Sequence, residues 1–388
     1  MTVWRPPYFS SVVPYLGLAC AAILYPIMPN LAPANVPHSQ SPLQRIAVAP
    51  NSRGFLRLPS RRAFYPWGFN YGNHGRLIED FWVKHWSTVV QDFHNMRSLG
   101  ANVVRVHLQY GKFMLAPDKP NPVSLKLLSR LLHLANKNRL YLDLTGLACY
   151  RVSDTPKWYN ALHDQQRWKA QENFWRSIAA TCANSHAVFC YDLINEPIVP
   201  GSRQKAGKWQ PKSSFGGYDF LQFITLNPGH ADRPEIAVQW IDAMTLAIRS
   251  RDKHTLITVG LLPSIPKWGW FSGFVPRVIA PHLNFISIHD YPQSKDLNQA
   301  MQVLRQCAFG KPVVIEETFP LSCTAAQERT FLLASRTIAC GWLGHYDGLT
   351  LKDYRKLASE HHLTIGQAIY RSFERMFVQL KPNFVRQK

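Results

Sequence analysis

The 388-residue chain is poor in acids: 24 Asp and Glu stand against 44 Lys and Arg, a formal net charge of +20, or +19 without Arg5. A field of that sign attracts anionic glycans, wall polymers or nucleic acid. The basic residues are scattered, however, in clusters as short as Arg61-Arg62. No nucleic-acid motif accompanies them, so no nucleic-acid partner is expected. Cysteine is also sparse, and none of the seven falls in a Cys-x-x-Cys pair, which argues against a zinc or redox site. Six of them, Cys149, Cys182, Cys190, Cys307, Cys323 and Cys340, follow the N-terminal segment; an even number permits disulfides without dictating them. No internal repeat or low-complexity block follows residue 60. Nothing calls for a cofactor or a metal, and no periodic surface calls for an oligomer, so a monomer without either is expected.

Long apolar runs are missing too, except at the start. Val12 to Met28 is apolar but interrupted by Pro14 and Pro26; it follows a segment whose one charge is Arg5 and precedes Ala32-Pro33-Ala34. Residues 1–34 therefore read as a secretory signal with a small-x-small cleavage site. The competing reading is an uncleaved anchor, for which a 17-residue run lies at the short limit. The two prolines favour the signal. A secreted or periplasmic location follows, with no stable membrane association once the segment is removed. Residues 35–60, with six Pro and Ser between Pro37 and Ser52, read as a linker leading into a strand that caps the closed end of the domain formed by 61–388.

What is present is alternation. Val89, Val90, Phe93, Met96 and Leu99 recur at helical spacing and Gly100 stops the helix, directly before the strand-like Val103 to Val106. Ser124 to Asn138 carries a leucine stripe before the strand Tyr141 to Gly146, and Gln171 to Ala183 leads into Tyr191 to Ile194. Thr255 to Gly260 supplies a further strand, Ala325 to Ala339 and Leu363 to Val378 further helices. Strands alternating with helices over this length predict an α/β chain folded as one (β/α)8 TIM barrel.

Two stretches carry chemistry. Cys190-Tyr-Asp-Leu-Ile-Asn-Glu-Pro197 is an apolar strand ending in Asn195-Glu196, with Pro197 unable to extend the ladder. Lys311-Pro-Val-Val-Ile-Glu-Glu317 repeats the design and closes in Glu316-Glu317. The two strand-tip acids lie 121 residues apart, about the span of three βα units, which brings both to one rim of one barrel. Paired acids across a cleft are what glycosidic cleavage needs. Between them, Pro197 to Glu235 is a long connection; Trp209 and Tyr218 in it read either as sugar platforms or as pins for the loop.

An ordered series of strand-end motifs resembles glycoside hydrolase family five, the cellulase and mannanase family of clan A. Trp67-Gly-Phe-Asn-Tyr71, Gly100 to Val106 with Arg105, Leu193 to Pro197, Phe285 to Tyr291 with a His-x-Tyr pair, and Pro312 to Glu317 are similar to its first, second, fourth, sixth and seventh strands. The resemblance implies a retaining β-glycosidase acting on a β-glucan or β-mannan. In it Glu196 is the acid/base and Glu317 the nucleophile: adjacent strand residues face opposite ways, so only one of Glu316 and Glu317 can point into the cleft, and the family's strand-end pattern matches Glu317. Arg105, Asn195, His289 and Tyr291 would line the substrate site. Two positions depart from the family: Thr145 stands where the third strand usually ends in His, and His345 where the eighth usually presents Trp. Both are expected to alter the floor of the sugar site. Trp67, Tyr71, Tyr110, Tyr150, Trp268 and Trp270 are candidate sugar-stacking rings. The competing classes are a barrel that binds glycan with weak or no catalysis, and a metal-dependent hydrolase built on His107, His289 and His345, whose spacing lacks a recognisable ligand motif.

Overall fold

The computed structural model describes residues 42–211 and 214–385, so the segment read as a signal and the first part of the linker lie outside the described residues. Eight parallel strands close on one another: β1 Trp67–Asn70, β2 Val103–Gln109, β3 Tyr141–Ala148, β4 Val188–Asn195, β5 Leu256–Leu261, β6 Ile286–His289, β7 Val313–Glu317 and β8 Gly341–His345. Their order around the barrel is their order in sequence, and β8 returns to β1 from Trp342 opposite Trp67 to His345 opposite Asn70. The crossover helices between them are α1 Trp86–Ser98, α2 Pro122–Asn138, α3 Asp164–Cys182, α4 Arg233–Arg249, α5 Pro276–Ile279, α6 Leu297–Arg305 and α7 Ala325–Ser335, with short extra turns of helix at Tyr110–Phe113 and Lys157–Ala161, and α8 Ile365–Phe384 closes the ring. This is the (β/α)8 barrel that the alternation predicts.

Parallel strands buried on both faces must be apolar along most of their length, and β3 and β4 are buried at every position. In α1, Val89, Phe93 and Met96 form the buried side, and Gly100 follows at φ +93°, the left-handed stop that glycine alone adopts cheaply. Beneath the barrel, residues 45–64 form a three-stranded antiparallel sheet, where the sequence reads a linker and one strand. Phe55 lies 5.2 Å from both Phe189 and Phe285, and Phe64 5.0 Å from Tyr141, so the sheet plugs the end at which β3, β4 and β6 begin. The six described cysteines are all free thiols. Among the described residues, no helix is long and apolar enough to cross a membrane.

Gly68 shows how tightly β1 and β2 are drawn together: a Cβ there would stand 1.7 Å from the Val103 carbonyl oxygen. Gly68→Ala therefore forces two paired strands apart, and a loss of about 3 kcal/mol or more is expected, read as a fall in urea midpoint. A midpoint within experimental error of wild type would contradict that close approach.

Candidate active site

The tips of the strands converge above the barrel interior. Glu196, one residue past β4, has φ +46°, unusual for a residue with a side chain and more so before a proline. Its N–H donates to the Gly260 carbonyl at 2.9 Å, which holds a conformation costing about 1–3 kcal/mol. The kink takes Glu196 out of the strand's alternation, and its Oε1 meets His289 Nδ1 at 2.8 Å.

Glu317 ends β7 on the facing side. Its Oε2 accepts a hydrogen bond from the Tyr291 hydroxyl at 2.6 Å, and its Oε1 contacts the Arg105 guanidinium. His289 Nδ1 lies 3.6 Å and His345 Nε2 4.0 Å from Oε2. Burial alone would push this carboxyl up, but His289, Arg105 and the other imidazoles outweigh it and hold Glu317 far below the usual carboxylate range. It is ionised at any physiological pH. Tyr291 is driven the opposite way, by burial and then by Glu317, and stays a phenol that donates. Its one proton points to Glu317, so His345 Nε2, 2.9 Å from the same oxygen, is the protonated nitrogen of a ring that burial keeps neutral.

Below this rim lies a fully enclosed polar layer around Arg105. Nη2 donates to Asp192 at 2.7 Å and to Asn195 Oδ1 at 3.0 Å, and Nη1 to Asn70 Oδ1 at 2.9 Å. Asn195 in turn donates to the Phe220 carbonyl at 3.3 Å, tying the layer to the long β4–α4 connection. Asp192 also accepts from the Gly260 N–H at 2.7 Å and from Thr145 Oγ1 at 2.8 Å. Glu316 points into this layer and is completely buried, whereas Glu317 keeps a side-chain exposure of 12% and Glu196 of 15%.

The structure thus gathers Arg105, Asn195, Glu196, His289, Tyr291, Glu317 and His345 within one cluster. Thr145 is the exception: it is buried and engaged with Asp192, so it supports the layer beneath the site instead of forming the floor of a sugar pocket. Leu147, at φ +55°, breaks the regular run of β3 two residues later, and Tyr150, two residues past the strand's end, is buried. Its hydroxyl lies 2.5 Å from His107 Nδ1. Asp192 and Asn70 were not among the expected site residues, and His107 and Tyr150 were expected only as a possible metal ligand and a possible stacking ring. Two of them carry a signal: Asp192 is the one acid in an apolar strand, and His107 lies two residues beyond Arg105, on the same face of β2.

Several candidate platforms are core residues. Trp67 stacks on Phe377 of α8 at 4.0 Å, Tyr110 stacks on Tyr159 at 3.6 Å, and the Tyr71 hydroxyl donates to buried Asp92 at 2.6 Å. In the long connection Trp209 is buried under the Arg167 guanidinium at 4.0 Å and pins the loop. Tyr218 anchors the loop as well, donating to the Gly75 carbonyl at 2.5 Å. Trp270 is half-buried, and Trp268, 65% exposed in the β5–α5 connection, is the candidate ring that remains open to solvent.

Two sets of donors lie within 4.8 Å of one another and have the residue types of metal ligands: Glu196, His289 and Glu317, and Asp143, Cys190 and Glu316. Neither reads as a metal centre. The Arg105 guanidinium already stands against Glu316 and Glu317, and a divalent ion would meet that fixed positive charge at close range.

Carboxylates at the tips of the fourth and seventh strands of a closed barrel, facing each other above a buried arginine, are the equipment of a glycosidic-bond hydrolase. The family model described as Cellulase (glycosyl hydrolase family 5) matches residues 68–319, so the chain belongs to that family and is an O-glycosyl hydrolase. No curated protein sequence matches the chain significantly. Among solved structures it resembles an exo-β-1,4-mannosidase from Opitutaceae bacterium strain TAV5, with 18% identity and a TM-score of 0.61 over 87% of this chain; it spans 62% of that enzyme's length. It also resembles a β-mannanase from the blue mussel Mytilus edulis, with 16% identity and a TM-score of 0.56, covering 88% of this chain and 97% of the other. A third is an endo-1,4-β-mannanase from Eisenia fetida, with 12% identity and a TM-score of 0.59, covering 89% and 96%. At these identities the likeness concerns the fold.

Proposed function

We propose that this hydrolase cleaves a β-linked polysaccharide or oligosaccharide, a β-mannan or β-glucan, with retention of anomeric configuration by double displacement. The observation that carries the reading is separation: a carboxylate oxygen of Glu196 and one of Glu317 lie within 4.8 Å of each other. Retaining enzymes hold their two carboxyl groups about 5–5.5 Å apart, and inverting ones about 6.5–9.5 Å to admit a water. In this reading Glu317 attacks the anomeric carbon while Glu196 protonates the departing oxygen. Glu196 then takes a proton from the water that releases the sugar. Arg105 and Tyr291 hold Glu317 ionised and aimed, and Asn195 bonds the 2-hydroxyl of the sugar. Trp268 offers an exposed ring for a sugar face at the rim. Export of the enzyme, read from residues 1–34, would bring it to polymeric substrate.

β-Mannan heads the substrates to test because the fold neighbours include mannanases. The experiment is release of reducing ends from a panel of β-mannans and β-glucans, with the first-formed anomer read by proton NMR. The β-anomer is expected first; an α-anomer would overturn double displacement, and glycan binding without any release would favour a binding role. Tyr291→Phe removes the hydroxyl bonded to the Glu317 carboxylate, a loss of about ten- to a hundredfold in kcat/KM on whichever glycan is accepted. An unchanged kcat/KM would remove Tyr291 from the machinery.

A further inference from the structure

We propose that Glu316 is a positioning residue for this reaction: its buried charge beneath His289 keeps the transferable proton on the Glu196–His289 pair through neutral pH. The inference rests on the retaining reading above, and assigns a task to the acid that the strand turns away from substrate.

His289 bridges two carboxylates. Its Nδ1 meets Glu196 Oε1 at 2.8 Å, and its Nε2 meets Glu316 Oε2 at 3.4 Å. A neutral imidazole donates from one nitrogen only, so two facing acceptors are satisfied only when the pair holds a further proton. Glu316 is bound from every side: Ser287 Oγ donates to its Oε1 at 3.0 Å and Arg105 Nη2 stands 3.5 Å from its Oε2. Space for this junction is created in β5, where a Cβ on Gly260 would lie 2.8 Å from His289 Nε2, 2.9 Å from Glu316 Oε2 and 3.0 Å from Arg105 Nη2. Any other residue at position 260 would push the three groups apart.

The neighbouring acids leave the charge on Glu316. No donor faces either oxygen of Asp143, and burial with repulsion from Glu316 drives Asp143 to its protonated, uncharged form. Asp192 is satisfied by Arg105, Thr145 and the Gly260 N–H, and Cys190 is a buried thiol. Against burial, Arg105 and His289 keep Glu316 below the ordinary carboxylate range. The other titratable groups around His289 are Glu317, Arg105, and the flanking imidazoles of His107 and His345, both of which burial keeps neutral. Burial of the ring opposes its charge, but Glu317, Glu196 and Glu316 outweigh it and hold His289 up to about 10.

Glu316 differs from Glu317 in permanence. As the glycosidic C–O bond breaks and the bond from Glu317 to the anomeric carbon forms, Glu317 loses its charge and the pair's proton passes by way of Glu196 to the leaving oxygen. In the second step water bonds to that carbon, the ester to Glu317 breaks, and the water's proton returns to the pair. Glu316 stays ionised throughout, so the pair remains able to take the proton back.

The test is Glu316→Gln, which keeps the shape and removes the charge. With phenyl and 2,4-dinitrophenyl β-glycosides of a sugar that wild type accepts, the alkaline limb of kcat/KM for the phenyl glycoside is expected to move down by about one pH unit or more. That is about a tenfold loss on the alkaline side, while the dinitrophenyl glycoside, which needs no proton, changes less than about twofold. An unmoved limb, or an equal loss for both glycosides at every pH, would overturn the proposal. A second measurement needs no turnover and compares wild type with Glu316→Gln. In the full chain with 15N-labelled histidine, the His289 signals, assigned by their loss in His289→Asn, are expected to show both ring nitrogens protonated to roughly pH 8. A wild-type midpoint near the ordinary 6.5 would sink the proposal. If wild type turns over no glycoside, the retaining reading fails, while the His289 midpoint, expected to fall by about one pH unit in Glu316→Gln and unmoved if the proposal is wrong, still decides the place of Glu316.

Discussion

Glu317→Ala is expected to lower turnover of any accepted β-glycoside by roughly 10^4-fold or more, the scale on which loss of a covalent nucleophile is felt. The carboxylate it removes is ionised, contacts Arg105 and accepts from Tyr291. No other oxygen base within this cluster is free to attack: Glu196 is engaged with His289, and Glu316 is buried beneath it. The alanine variant leaves a small cavity beside a guanidinium, a place suited to a small anion. Azide added with a dinitrophenyl β-glycoside should therefore attack from the vacated side and yield the α-glycosyl azide. Activity within tenfold of wild type, without azide product, would exclude Glu317 as the nucleophile.

Glu196→Ala has the second largest effect, and its size depends on the leaving group. General acid assistance contributes about 10^2–10^4-fold, so that loss is expected for natural glycans and phenyl glycosides. Dinitrophenyl glycosides depart without a proton, and their first step should be nearly spared. The second step, which needs a base, then becomes limiting and a burst of dinitrophenol precedes slow turnover. Azide needs no base and should relieve the slow step, giving the β-glycosyl azide. The opposite anomers from the two variants assign the two roles independently of any pH profile. A uniform loss for all leaving groups with no azide product would show that Glu196 acts through structure alone.

Much of this site is legible in the chain because strands impose simple rules. Asn195-Glu196-Pro197 marks a strand tip, since proline cannot extend the ladder, and alternation turns only one of Glu316 and Glu317 to the cleft, the resemblance to the family's strand-end pattern pointing to Glu317. The platforms are not legible in that way. Trp67, Tyr71 and Tyr110 lie beside strand signals just as cleft residues do, and only α8, Asp92 and Tyr159 packing against them make them core. Thr145 is expected at the sugar floor because the resembling family ends this strand in His there; in the structure its hydroxyl instead bonds Asp192, and the strand breaks its alternation at Leu147. A one-residue irregularity changes which side chains face inward, and nothing in the run Leu144-Thr-Gly-Leu-Ala148 announces it.

The sequence by itself determined the barrel, the order of its strands and the two carboxylates at their tips, because hydrophobic periodicity and strand breakers act locally along the chain. Only the tertiary structure decided how those groups are charged. Arg105 of β2 reaches Asp192 of β4 and both Glu316 and Glu317 of β7, and His289 of β6 stands between Glu196 and Glu316. Ionisation inside a barrel depends on burial and on charges a few ångströms away, and those neighbours lie from 27 to 212 residues away in the chain.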